Sequence, residues 1–112
     1  MAEDKKRRAP ADVEPVRHDG LRYEAPLMGG PFGFAQDGGF VTARDDATGD
    51  LVWTQRVYTV DYGEDIEDDK QEVYIKALAL TDDQRALRVV NERGERFHLS
   101  LVDRSIQRLG RG

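Results

Sequence analysis

Residues 86–101 read ALRVVNERGERFHLSL. Leu87 and Val89 alternate with Arg88 and Val90, and after a short break Phe97, Leu99 and Leu101 alternate with Arg96, His98 and Ser100. A period of two puts the first set on one face and the second on the other, which is the pattern of a β-strand pair with one side in water. The break, Asn91-Glu92-Arg93-Gly94, ends in the residue that most readily takes a positive φ. The stretch therefore predicts an antiparallel hairpin with an apolar inner face.

Working outward, the same alternation predicts strands over 21–25, 40–45, 51–60, 72–81, 85–90, 95–102 and 105–109. Thr81-Asp82-Asp83-Gln84 supplies a second tight connection. EVYIKALAL, 72–80, is apolar on both parities and is expected to be the central strand, covered on both faces. A helix competes there, because Ile66, Lys70, Val73, Ala77 and Leu80 also fall at helical spacing across 64–80. Val73, Tyr74 and Ile75 favour the strand. MGGPFGFAQDGG, 28–39, is too rich in glycine for regular structure and predicts a loop anchored by Phe32 and Phe34. The expected fold is mainly β: a small antiparallel sheet, sandwich or open barrel. The expected organisation is a mobile charged arm over 1–19, one β domain over 20–109 and a tail over 110–112.

A second hairpin is written in ARDDATGDLVW, 43–53. Asp45 is placed to accept hydrogen bonds from turn amides, Gly49 to take a positive φ, and Trp53 to require an apolar contact. Ala43, Asp45, Thr48, Gly49 and Trp53 match the A-x-D-x-x-T-G-x-x-x-W motif and so resemble one blade corner of the quinoprotein β-propellers. The resemblance spans eleven residues and implies a packing role for Trp53. A propeller needs roughly four to eight blades, and one copy of the motif cannot close one. The vicinal cysteines of the full enzymes are missing, so no quinone chemistry is carried over. The wider pattern, with an acidic stretch, QEVYI and NERGERF, resembles small bacterial β proteins and brings no activity with it.

The chain has 112 residues, of which 38% are hydrophobic and 35% charged. Typical domains carry roughly 45–50% and about 25%, so the core must be thin and association would help it. Cysteine is absent, which excludes disulfides and thiolate metal sites. No run of about 18 apolar residues occurs, and a soluble, cytoplasmic protein with no membrane contact is expected.

The acidity is concentrated. Residues 61–72, DYGEDIEDDKQE, hold seven acids and one lysine, whereas residues 85–112 hold seven arginines and three acids. Asp61, Asp65, Glu67, Asp69 and Glu72 occupy ligand positions of an EF-hand-like loop. Gly63 stands where a ligand belongs and Ile66 where the sharp turn needs glycine, so a solvated acidic connection is expected and no metal. His18 and His98 are the only histidines. His98 and Ser100 share a strand face, but no nucleophile elbow accompanies them. The glycines of 29–39 do not form a phosphate-binding motif. Lys5-Lys6-Arg7-Arg8 is one short basic cluster on an acidic chain, which makes nucleic acid an unlikely partner. No catalytic residue and no cofactor is expected.

The function expected is a non-catalytic interaction module, homo-oligomeric or docking on another protein with a basic surface. Glu67, Asp68 and Asp69 on one side and Arg93 and Arg96 on the other are the interaction residues. A small enzyme or metabolite-binding domain is the alternative, and a nucleic-acid accessory protein the third.

Overall fold

A computed structural model describes residues 13–33, 36–59 and 73–111. Eight strands follow in order: β1 (Val16–His18), β2 (Leu21–Glu24), β3 (Phe40–Asp45), β4 (Leu51–Arg56), β5 (Ile75–Leu80), β6 (Ala86–Asn91), β7 (Glu95–Ser100) and β8 (Ile106–Arg111). They form two antiparallel meanders, sheet A in the order β1-β2-β3-β4 and sheet B in the order β5-β6-β7-β8. No α-helix occurs among the described residues, and the sheets close into neither a barrel nor a propeller. No helix there is long and apolar enough to cross a membrane.

Each hairpin follows from its turn chemistry. Gly94 takes φ 82° between β6 and β7, and its N–H donates to the Asn91 carbonyl. Asn91 is fully buried; its side-chain oxygen accepts from the N–H groups of Arg93 and Glu95, and its amide nitrogen donates to Glu95. At the β3–β4 corner the Asp45 carboxylate accepts from the N–H groups of Ala47 and Thr48, and Gly49 takes φ 83°.

One core joins the two sheets. Tyr23, Val41 and Ala43 from sheet A and Val57 just past the end of β4 meet Ile75, Leu87, Val89, Phe97 and Leu99 from sheet B. Removing such apolar area from water is the main stabilising term, worth about 25 cal/mol per Å². β1 and β5 approach one another and close one side of the pair of sheets.

One expectation needs correction. Within the 72–80 stretch Ile75–Leu80 is a strand rather than a helix, but it forms an edge, not the centre. Leu78 and Leu80 are half-buried against the core while Ala77 and Ala79 are exposed. Alanine made both parities look apolar, yet its small side chain needs no cover. The doubly covered strand is β3, where Phe40, Val41, Thr42 and Ala43 are all fully buried. The 25–39 connection contributes to this cover, with the Phe32 ring 5.4 Å from that of Phe40. Phe34 lies outside the described residues. β1 covers Val16–His18, β4 ends at Arg56 and β8 ends at Arg111.

Candidate interaction surface

The outward faces of the two sheets differ in how their charges are matched. On sheet A, Arg17, Arg22 and Arg44 stand directly opposite one another across β1, β2 and β3. Like charges in that arrangement repel, and two acids interleave them. Asp46 lies 3.2 Å from Arg17 and 3.3 Å from Arg22; Glu24 lies 3.0 Å from Arg22 and 3.6 Å from Arg44. The lattice is internally satisfied. Beside it, a cleft of about 360 Å³ is lined by Pro15, Pro26, Leu27 and Phe32 together with the paired Glu24 and Arg44.

Sheet B has no such matching. Arg88 on β6 is the direct partner of His98 on β7, and Val90 of Arg96. With Ala77 and Ala79 on β5 and Gln107 on β8, these residues make an outer face whose strands contribute no carboxylate; the Asp83 carboxylate of the β5–β6 turn interacts with His98. Among the described residues Arg88 and Arg96 form no ion pair, and the Arg96 Nε is buried with no acceptor. Arg93 extends from the β6–β7 turn at the end of this face, exposed and likewise without an ion pair among the described residues. By contrast, Arg108 is held 2.6 Å from Glu95, and Arg104 lies 5.3 Å from the centre of the Trp53 ring.

Arg93 also lines a polar cleft of about 260 Å³ with Tyr58, Thr59, Val73, Glu95 and Arg108. Thr59 and Val73, which flank the acidic segment in the sequence, thus both lie at the Arg93 end of sheet B. Asp61, Asp65, Glu67, Asp68, Asp69 and Glu72 themselves lie outside the described residues. Among the described residues no three His, Cys, Asp or Glu side chains gather as around a metal.

Among the described residues the carboxylates that depart from ordinary values belong to turns. Asp45 is lowered by the N–H groups of Thr48 and Ala47, Asp83 by the Thr81 hydroxyl and the Arg85 N–H, and Asp103 by Ser105 and then Ser100. Burial raises the Tyr23 hydroxyl, with Asp19 adding to the effect. A lowered carboxyl contributes stability that is present above its unfolded pKa and lost as pH falls through the folded one. Denaturation of Asp45→Asn followed over a pH series should therefore lose stability less steeply than wild type below about pH 4. Identical curves would show that the corner carboxylate does not act as its hydrogen bonds imply.

Trp53 is half-buried, with its ring 5.9 Å from Tyr23 and tilted by 43°. Reading the sequence alone singled out Arg93 and Arg96 but missed Arg88 and His98. The cross-strand register is what aligns them, although the strict alternation of 86–101 already placed them on one face. No protein-family model matches the chain, and no curated protein matches it.

Proposed function

We propose that the chain is a non-catalytic, cytoplasmic β-sheet interaction module that associates with itself or docks on another protein bearing a basic surface. The observation that carries this reading is the unmatched outer face of sheet B. Among the described residues Arg88, Arg93 and Arg96 lack carboxylate partners, whereas Arg17, Arg22 and Arg44, on the outer face of sheet A, are paired. The same chain carries seven acids within 61–72. Glu67, Asp68 and Asp69 of one copy are complementary to Arg93 and Arg96 of another, and a foreign basic partner would engage the same acids. Such charge complementarity steers encounter and sets register more than it adds affinity. Beside Ala77, Ala79, Arg88, Val90, Arg96 and Gln107 the outer face offers His98 as its single ring among the described residues, too little for a run of stacked bases, which disfavours nucleic acid. The corner at 43–53 enters this reading only as a packing device for Trp53.

Light scattering at low salt tests the self-docking form. Wild type is expected to associate. Combining Glu67→Lys, Asp68→Lys and Asp69→Lys should weaken association roughly tenfold, equivalent to about 1.4 kcal/mol. Adding Arg93→Glu and Arg96→Glu should restore part of it. A wild-type chain that stays monomeric at high concentration would eliminate self-docking. Retention of every lysate partner by the triple variant would show that the acidic segment is only a solvated connection.

A further inference from the structure

We propose that β4 is a two-fold pairing edge, through which a second copy of this chain joins sheet A into a continuous eight-stranded sheet. This contact is separate from the charge-matched one above and goes beyond it. The four sheet edges are not equivalent. β1 has three residues and lies against β5, so these two edges shield one another. β8 is guarded by Arg108 and by a register shift near Gly110, which has φ 96°. Charges, bulges and short strands are the usual devices that keep an edge from pairing.

β4 carries the fewest. It runs six residues, LVWTQR, without proline or lysine, and nothing among the described residues pairs with its outer side. Its one irregularity is at the start. The register steps from Ala43 opposite Trp53 to Arg44 opposite Leu51, leaving Val52 as an extra residue. Leu51 and Val52 are 47% and 52% exposed, an apolar pair beside an open edge. From Trp53 to Arg56 the strand is regular.

Backbone direction and charge specify the partner. The Val57 N–H donates to the Gly39 carbonyl across the β3–β4 pair. Alternation along an antiparallel strand then directs the polar backbone groups of Trp53 and Gln55 toward β3 and those of Thr54 and Arg56 outward. A two-fold axis at Thr54 lets the two Thr54 residues exchange backbone hydrogen bonds. It brings Arg56 of each copy toward the Asp50 end of the other. Neither Arg56 nor Asp50 has an ion pair within one chain among the described residues. A parallel pairing would set like charges together. The strand is therefore self-complementary in the sense an isologous interface requires.

Amide exchange on the unmodified protein tests the proposal. Over a hundredfold rise in concentration, the Thr54 and Arg56 amides should slow by about tenfold or more. The effect should persist in about 1 M salt, where screening acts within roughly 3 Å and the sheet B contact is lost. Because the chain has no cysteine, single-cysteine variants add a second readout. Oxidised Thr54→Cys is expected to yield mostly covalent dimer, and Ala79→Cys, on the exposed face of sheet B, little. A strictly monomeric wild type, exchange at Thr54 that ignores concentration, or equal cross-linking of the two variants would each overturn β4 self-pairing. Loss of association only on adding salt would overturn it while leaving the charged contact standing.

Discussion

Phe40→Ala is expected to destabilise the protein by about 4 kcal/mol, read as a lowered urea midpoint with the slope unchanged. Phe40 is fully buried, yet it points away from the core that joins the sheets. It is paired with Arg56 and covered in part by the Phe32 ring at 5.4 Å. The measurement therefore weighs a second, smaller apolar layer between sheet A and the 25–39 connection. Domains of this size have only about 5–15 kcal/mol in total, and a thin core argues for the lower part of that range. A loss under about 1 kcal/mol, typical of a surface change, would show that the connection does not pack on β3.

Gly39→Ala is expected to cost about 3 kcal/mol, through backbone and packing together. Gly39 has φ 83°, where a Cβ strains the chain by roughly 1–2 kcal/mol. A Cβ there would also stand 2.6 Å from the Gln36 amide nitrogen, 2.9 Å from the Tyr58 ring and 3.0 Å from the Tyr58 carbonyl. Overpacking of that kind adds about 1–3 kcal/mol. It would disturb the Gln36 amide, which donates to the carbonyls of Gly38 and Tyr58 at 2.8 Å each. Gly49→Ala is the control: it has the same φ of 83° but open space around the added carbon. It should lose only the backbone part, about 1 kcal/mol. Equal thermal or urea shifts for the two variants would remove the steric argument at Gly39.

Both results concern residues whose role lies in the 25–39 connection, the part of the fold least legible in the sequence. Its glycines announced a loop and Phe32 an anchor, but no local pattern tells which sheet face a loop covers. The same limit explains the misplacement of the central strand. Apolar residues on both parities mark EVYIKALAL and FVTA alike as candidates for double cover. Burial of β3 was decided by a segment folding back over Thr42 and Phe40, a long-range event. On the functional side, the charge asymmetry was visible residue by residue. Its pairing was not: Arg17, Arg22 and Arg44 meet Asp46 and Glu24 only because three strands align, while Arg88 and Arg96 find no carboxylate among the described residues.

What the sequence determined by itself was local: period-two alternation made strands, and Asp45, Gly49, Asn91 and Gly94 made the corners between them, because turn geometry and side-chain direction depend on neighbours in the chain. The β class, the 86–101 hairpin and its wet face follow from those rules alone. Tertiary structure decided how eight strands divide into two sheets, which strand is covered twice, which edges are left open and which arginines find a carboxylate. Those outcomes depend on contacts between residues distant in sequence, whose strength comes from shared burial and cross-strand register, and no single segment contains the information that sets them.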